Sequence, residues 1–235
     1  MYINKGSVAL WTLIFIIVIF LLIGGMVALI KEKKGGGGGE IALTRTLERG
    51  NVDSPVTFGE YADFQCPACK SALPLIETLF DEYGDRVRFV FRHFPLRSIH
   101  PNAQASSEAA EAAHMQGKFF EMHNMLYENQ EAWSRERNPR DTFEKYAEEI
   151  GLDIEQFRTD VKSKQVRDNI QAEVAMGFRV GIGGTPTFYL GDKVLKAGTL
   201  LEFRAAIDTA LVEAGLASST VPFVPSVEFE LDVTN

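Results

Sequence analysis

Cysteine is scarce in this sequence. The 235 residues contain two, Cys66 and Cys69, within the stretch FQCPACKSALP. A closed structural zinc site needs four ligands, usually two such pairs or one pair plus two histidines at helical spacing. The four histidines do not follow that spacing. The sequence therefore disfavours zinc, although two histidines that converge in space would complete a site, and no resident metal or cofactor is expected.

Positive charge is also in short supply. The chain has 24 Lys and Arg residues against 32 Asp and Glu, which gives a formal net charge of −8. Apart from the lysines at positions 31, 33 and 34, it contains no run of one sign. Phosphate contacts require clustered Lys and Arg, so the sequence predicts no binding to nucleic acid.

A long apolar run is present near the start of the chain. Residues 8–30 carry no charge, and as a helix they would extend roughly 35 Å, enough to cross a hydrocarbon core. A cleaved signal peptide would have a shorter apolar region followed by a small-residue exit. The pattern therefore predicts a short tail at residues 1–7 and an uncleaved transmembrane anchor at 8–30.

The remaining chain divides into three parts. Residues 31–54, with five consecutive glycines at 35–39, are expected to form a flexible tether and lead-in. Residues 55–215 are expected to form the folded domain. Residues 216–235 alternate apolar and polar side chains, which is compatible with an edge strand or with a loose tail.

Within the domain, the pattern first predicts a βαβ unit. A strand over 55–64 precedes the cysteines, Pro67 suits the first turn of a helix that stops at Gly84, and a Val/Phe-rich strand starts at Arg86. Helical periodicity then dominates from about 102 to 177. Two strands joined by a type II′ turn at Gly191-Asp192 and a last helix complete the domain. The expected fold is α/β, in the order β-α-β, helical insert, β-β-α.

Several helix boundaries in the second half rest on capping patterns. Asp153 with Gln156 and Thr199 with Glu202 have the spacing of a capping box. The segment from Ser163 to Met176 reads as a helix that Gly177 ends.

Two further uses of the cysteine pair remain. A disulfide that closes so short a loop removes little chain entropy from the unfolded state, so a purely structural bridge is disfavoured. A redox dithiol fits better, because Cys66 would lie at the positive end of a helix dipole, near unpaired N–H groups that stabilise a thiolate. Cys69, one turn further in, would be the less exposed, resolving thiol.

Two motifs lie about 120 residues apart, with a helical insertion between them: PVTFGEYADFQCPAC and GTPTFYLGDK. In this arrangement the chain resembles the DsbA-like branch of the thioredoxin-fold thiol oxidoreductases. The resemblance covers roughly residues 41–215. It implies that Cys66 and Cys69 form a redox-active disulfide, with Pro67 and Ala68 between them.

The resemblance assigns further residues. Thr185 and Pro186 match the family's cis-proline loop, which presents backbone to a bound peptide. Glu60 matches a buried acid that moves protons to and from the inner thiol; a solvent-facing or ion-paired strand residue is the alternative. Side chains expected in the core rather than in a substrate groove are Phe64, Gln65, Met115, Phe119 and Met122.

The implied function is that of a membrane-anchored oxidase that introduces disulfides into reduced or unfolded secreted proteins. The implied reoxidation partner is a membrane quinone-linked thiol oxidoreductase. The best-known strongly oxidising members have histidine where this chain has Ala68, so a reductase or isomerase remains an alternative. A non-catalytic peptide- or metal-binding module is another.

The location implied by that function is the extracytoplasmic side of the cell membrane. The lysines point weakly the other way, because Lys5 precedes the apolar run whereas Lys31, Lys33 and Lys34 follow it.

Overall fold

The computed structural model of the protein describes residues 47–216. The strands are β1 (Leu47–Gly50), β2 (Thr57–Ala62), β3 (Arg88–His93), β4 (Thr187–Leu190) and β5 (Lys193–Val194). The helices are α1 (Pro67–Tyr83), α2 (Ala103–Met115), α3 (Phe119–Glu128), α4 (Gln130–Trp133), α5 (Arg140–Glu149), α6 (Ile154–Asp160), α7 (Lys164–Arg179) and α8 (Leu200–Glu213).

The strands form one mixed sheet in the order β1-β3-β2-β4-β5. β2 and β3, which α1 connects, are parallel, and the other pairs are antiparallel. The prediction of an α/β fold with a helical insertion between two halves of a sheet is confirmed. The central position of β2 matters for function, because this strand leads directly into the cysteine pair.

Strand β1 was not predicted and corrects the assignment of 31–54 to a tether and lead-in. Leu47 and Arg49 pair with Phe91 and Phe89 of β3. The four residues LERG contain one large apolar side chain, so they show no alternation of apolar and polar residues that would predict a strand. The pairing comes from β3, which offers a free edge, and the folded domain accordingly begins by Leu47.

Two large apolar clusters hold the layers together. One joins β2, α1 and α8 and contains Phe58, Leu79 and Phe203; the ring centroids of Phe58 and Phe203 are 5.9 Å apart. The other joins the end of β2 to the helical insert, and it contains both cysteines. Phe64, Phe119 and Met122 lie in this second core as predicted, and Gln65 is buried, whereas Met115 is 39% exposed at the end of α2.

Gly177 does not end a helix, contrary to the prediction, because α7 continues to Arg179. A Cβ at position 177 would meet the ring of Phe94 at 2.7 Å and that of Tyr61 at 3.1 Å. Glycine is therefore required here by packing of the helix against the aromatic side chains of the sheet.

The capping predictions are confirmed for α8 and in part for α6. Thr199 and Glu202 form the complete reciprocal box. Asp153 accepts a hydrogen bond from the backbone N–H of Gln156, but the Gln156 side chain donates to Asp160 instead of returning to Asp153. At the other end of the sheet, Gly191 between β4 and β5 has φ +60°, as a type II′ turn requires at its first central position.

The predicted N-terminal tail at 1–7, the anchor at 8–30, the glycine tether and the tail after residue 216 lie outside the described residues. Within residues 47–216, no helix is both long enough and apolar enough to cross a membrane.

Candidate active site

Cys66 is the N-cap residue of α1. β2 ends at Ala62, and a tight turn follows in which the backbone N–H of Cys66 donates to the carbonyl of Asp63 at 3.0 Å. Pro67 occupies the first helical position, where its missing N–H costs nothing. Cys66 is 6% exposed and Cys69 1% exposed. Both are free thiols in this structure, with the more accessible sulfur at the helix entrance.

The surroundings of Cys66 stabilise its thiolate. The Cys69 thiol, which donates a hydrogen bond to the Cys66 sulfur, does most to lower the pKa. Burial opposes this, but the Thr185 side chain and the backbone N–H groups of Cys69 and Ala68 lower the pKa further, and it falls to about 5. Cys66 is therefore largely ionised at neutral pH.

Cys69 has the opposite character. Burial raises the pKa of this thiol, and the hydrogen bond to Cys66 raises it further, whereas a backbone hydrogen bond at Asp63 lowers it. Glu60 adds to the rise once it is ionised. A buried thiolate at this position is costly, so Cys69 holds its proton in the dithiol state. The pair thus consists of one ionised, less buried sulfur and one protonated, inner sulfur.

The predicted cis-proline loop faces the cysteines. The bond between Thr185 and Pro186 is cis. The Cys66 thiol donates to the carbonyl oxygen of Thr185, at 3.4 Å, across 119 positions of sequence. The Thr185 hydroxyl is buried beside the same sulfur, where its interaction with Cys66 lowers the pKa of the outer thiol. Both polar groups of Thr185 thus belong to the immediate environment of the outer sulfur.

Glu60 lies on β2 behind the cysteines and is 7% exposed. Burial raises the pKa of this carboxyl to about 8, whereas Arg49 lowers it and Glu77 raises it. The carboxyl lines a cavity of about 20 Å³, together with Arg49 and His123. That is room for one water molecule. Glu60 is therefore a buried acid that is mostly protonated at neutral pH.

Arg49 is held away from a direct ion pair with Glu60. Its guanidinium binds both carboxylate oxygens of Glu77, at 2.6 and 3.0 Å. It also lies 4.0 Å from the ring centroid of Phe80 and 4.9 Å from that of Phe120. Its positive charge acts on Glu60 from this fixed place and partly offsets the effect of burial.

Gln130 ties the helical insert to the active-site turn. Its side-chain amide donates to the carbonyl of Phe64 at 2.7 Å and to that of Cys66 at 3.0 Å. Nearby, the Gln65 side chain accepts from the backbone N–H of Asn102 at 2.6 Å. The backbone that leads into the cysteine pair is thus positioned by residues of the insert.

The other side of the turn is fixed by Asp63. This buried carboxylate accepts from the backbone N–H groups of Gln65 and Leu96, both at 2.8 Å, and lies 2.7 Å from Nδ1 of His100. The loop after β3 is therefore attached to the residue that also supports Cys66.

In the part of the chain that the structure describes, no group of three or more His, Cys, Asp or Glu side chains is arranged to hold a metal ion.

A sequence model of the family described as thioredoxin matches residues 43–209. The chain belongs to the thioredoxin family. Its fold is the DsbA-like form, in which a helical insertion interrupts the thioredoxin sheet, as several solved structures show. BdbD from Bacillus subtilis superposes with a TM-score of 0.62 at 23% identity, covering 71% of this chain and 93% of that one. The thiol-disulfide exchange protein α-DsbA2 from Wolbachia pipientis has a TM-score of 0.61 at 20% identity, covering 70% and 87%.

A thioredoxin-like oxidoreductase from Silicibacter pomeroyi is more similar in sequence. It is 29% identical, with a TM-score of 0.60, and the match covers 70% of this chain and 91% of that one. The thioredoxin fold and the cysteine pair at its helix entrance support thiol–disulfide exchange as the chemistry of this domain.

Curated relatives place a similar domain in longer proteins. The Na(+)/H(+) antiporter NhaA 3 of Salinispora tropica is 41% identical over 145 residues, which is 62% of this chain and 21% of the antiporter. The Na(+)/H(+) antiporter NhaA of Herminiimonas arsenicoxydans is 33% identical over 178 residues, which is 76% and 27%. This thioredoxin-family chain thus spans only about a quarter of the length of the curated relatives it matches.

The cysteine pair and the cis-proline loop meet in one place, because the Cys66 thiol contacts the Thr185 carbonyl, and Glu60 lies close enough to raise the pKa of Cys69. Other residues that shape the site were missed by the sequence analysis. Residues that no local signal marks are Arg49, Glu77, His123, Tyr127 and Gln130. All five lie near the site only because distant segments pack together, and therefore no spacing within the chain reveals them.

Proposed function

We propose that the protein is a membrane-anchored thiol:disulfide oxidoreductase that introduces disulfides into extracytoplasmic proteins through the Cys66–Cys69 pair. The observation that carries this proposal is the lowered pKa of Cys66. Stabilising the thiolate stabilises the dithiol form, so the disulfide becomes the stronger electron acceptor. The likeness to a thioredoxin-like oxidoreductase at 29% identity supports the same chemistry.

The reaction begins on the disulfide form of the enzyme. A substrate thiolate attacks the Cys66 sulfur, the Cys66–Cys69 bond breaks, and its electron pair goes to the Cys69 sulfur. Glu60, protonated at neutral pH, supplies the proton that Cys69 takes up. A second substrate thiolate then attacks the substrate sulfur of the mixed disulfide, which forms the substrate disulfide and releases the Cys66 thiolate.

The cycle needs an external electron acceptor. The reduced enzyme holds two electrons and must pass them on before it can act again. We assign this step to a membrane quinone-linked thiol oxidoreductase. The Cys66 thiolate would attack a disulfide of that partner, and Cys69 would then attack Cys66 in the mixed disulfide, which re-forms the Cys66–Cys69 bond and leaves the partner as a dithiol. The clients are reduced or unfolded secreted proteins, and the cis loop at Thr185 and Pro186 is the surface against which their backbone would align.

Two observations support a location at the membrane. Residues 8–30 have the length and composition of a spanning helix. Curated relatives that contain a similar domain are named antiporters, and an antiporter acts across a membrane. The oxidase proposal requires the domain to be extracytoplasmic, whereas the lysines around the run favour the reverse orientation. Protease treatment of intact cells, which cleaves only an external domain, decides between the two.

The chemistry is tested with the oxidised full-length protein and a reduced, unfolded client that forms one disulfide. We expect one client disulfide per enzyme disulfide, and none with Cys66→Ser. Equilibration with glutathione gives the reduction potential. A value close to that of thioredoxin, about −270 mV, would identify a reductase instead, a direction that Ala68 in place of histidine favours. A protein that retains its client after Cys66→Ser without any exchange would be a binding module.

A further inference from the structure

The hydroxyl of Tyr127 is a buried polar group with no partner. Tyr127 lies on α3 of the helical insert and is 2% exposed. Among residues 47–216, this hydroxyl has no hydrogen-bond partner. A buried donor without an acceptor lowers stability, and phenylalanine would fill the same space without that cost. The hydroxyl therefore calls for an explanation beyond packing.

Tyr127 packs against the segment that leads into the cysteine pair. Its ring centroid lies 5.1 Å from that of Phe64, the residue two positions before Cys66, and 4.9 Å from that of His123. Tyr127 also belongs to the apolar cluster that contains Cys66 and Cys69. The helical insert thus places a buried phenol in the same apolar core as the cysteine pair.

The electrostatic neighbours of the hydroxyl are all acidic groups. Burial raises the pKa of Tyr127 well above its ordinary value, and among its neighbours Cys69 contributes most to the rise, followed by Glu60, Asp63 and Cys66. His123, on the same helix, is neutral at physiological pH because burial lowers its pKa to about 4. The Tyr127 hydroxyl consequently keeps its proton and acts only as a neutral donor.

We propose that the Tyr127 hydroxyl donates a hydrogen bond to the Cys69 sulfur while that sulfur carries negative charge, as the Cys66–Cys69 bond breaks or re-forms. This inference rests on the proposed exchange chemistry of the pair. The incoming thiolate bonds to the Cys66 sulfur, the electron pair of the broken bond goes to Cys69, and Glu60 supplies the proton. Tyr127 keeps its own proton throughout and stabilises the charge before the transfer is complete.

The role is distinct from that of Glu60 because the two groups respond differently to pH. Glu60 titrates near pH 8 and above that loses the proton it would supply. The Tyr127 hydroxyl stays protonated far above pH 8, so its contribution should be largest where Glu60 is ionised. Loss of the Tyr127 hydroxyl should therefore slow the reaction at every pH and most strongly above pH 8.

The test uses Tyr127→Phe, with Tyr146→Phe on α5 as the matched control. The oxidised full-length proteins are reduced with dithiothreitol between pH 6 and 9.5, and free thiols are quantified by alkylation and mass spectrometry. This small reductant requires no client protein, so the result is independent of whether the chain is an oxidase or a reductase. We expect Tyr127→Phe to be about fivefold slower at pH 7 and slower still above pH 8. Tyr146→Phe should match the parent protein.

Two further readouts separate this role from a structural one. The pKa of Cys66, measured from thiolate absorbance, should be unchanged in Tyr127→Phe, and the thermal midpoint should not fall. 3-Fluorotyrosine at position 127, a stronger donor of the same shape, should restore at least the parental rate. Parental rates in Tyr127→Phe across the pH range would overturn the proposal. So would a uniform loss accompanied by a shifted Cys66 pKa, or a crystal structure with the hydroxyl pointing away from Cys69.

Discussion

The sulfur of Cys66 lies 3.4 Å from the carbonyl oxygen of Thr185, and the thiol donates to it. A carbonyl oxygen accepts from a thiol but repels a thiolate, so this contact by itself favours the protonated form. The lowered pKa of Cys66 shows that the donors around it outweigh that contact. The protonation state of the Cys66 sulfur thus depends on two opposing influences. The acceptor on the cis loop favours the thiol, and the donors at the helix entrance favour the thiolate.

Among the groups that lower the pKa of Cys66, the Cys69 thiol contributes most, and the effect of removing it should be measurable. We expect the pKa of Cys66 to rise from about 5 in the parent protein to a clearly higher value in Cys69→Ala. Cys69→Ser retains an O–H donor and should lie between the two. Thiolate absorbance followed against pH in the full chain provides the values. Equal pKa values in the alanine and serine variants would show that a donor at position 69 is irrelevant.

The stability of the reduced protein should depend on pH in a defined direction. The folded-state pKa of Cys66 is depressed to about 5, below the value of about 8.5 for a free thiol. The unfolded chain therefore binds more protons between these values, and the stability of the folded dithiol rises with pH across this window. This contribution of the Cys66 thiolate to stability is lost as the pH falls through 5.

The oxidised protein lacks both thiols and serves as the reference, since its other groups titrate in the same surroundings. We expect the difference in Tm, reduced minus oxidised, to be larger at pH 8 than at pH 5. A difference that is constant over this range would contradict the lowered pKa of Cys66.

The parts of the fold that the sequence predicted correctly are those with local causes. Pro67 at the first helical position and the reciprocal capping of Thr199 with Glu202 involve residues within one helical turn of each other. Such signals act in the same way wherever the segment lies in the molecule. The cysteine pair and the cis loop were found in a different way, through a motif that joins distant segments.

The parts that were missed depend on contacts across the fold. β1 is a strand because β3 offers it an edge, and Gly177 is glycine because the Phe94 ring occupies the place of a Cβ. Arg49 affects Glu60 only because β1 lies next to β3 and the guanidinium is clamped by Glu77. These relations join segments whose neighbours in space cannot be read from spacing along the chain.

The Arg49–Glu77 pair should set the pH at which Glu60 loses its proton. Arg49 lowers the pKa of Glu60 and Glu77 raises it, so Arg49→Met should move it above 8 and Glu77→Gln should move it below. The measurement is the pH dependence of the rate at which dithiothreitol reduces the oxidised protein. An inflection near pH 8 should shift in opposite directions in the two variants and vanish in Glu60→Gln. A shift in the same direction in both would refute the assignment of these charges.

Gly177 should resist replacement by alanine. Helix propensity favours alanine by about 1 kcal/mol, but the added Cβ would lie 2.7 Å from the Phe94 ring. Overpacking of this kind costs about 1–3 kcal/mol, so we expect a net loss in urea unfolding. Gly183→Ala is the control, because nothing lies within 4 Å of its added Cβ, and its stability should be unchanged or raised. A stabilised Gly177→Ala would mean that α7 can move off the sheet.

Gln130 should be required for the attachment of the helical insert to the active-site turn. Gln130→Met preserves most of the volume but leaves the Phe64 carbonyl and one acceptor position of the Cys66 carbonyl without their buried donor. Loss of a partner from a buried polar group costs about 1–3 kcal/mol, and we expect the free energy of unfolding in urea to fall by that amount. Gln116→Met makes the same change on a side chain whose hydrogen bonds to the backbone of Asp153 are exposed to solvent, and it should alter the free energy of unfolding by less than about 0.5 kcal/mol. Because the lost donors hold the backbone of Cys66 itself, Gln130→Met should also change the reactivity of Cys66 toward iodoacetamide at pH 6. Equal stabilities and equal alkylation rates in the two variants would show that the turn holds its shape without the insert.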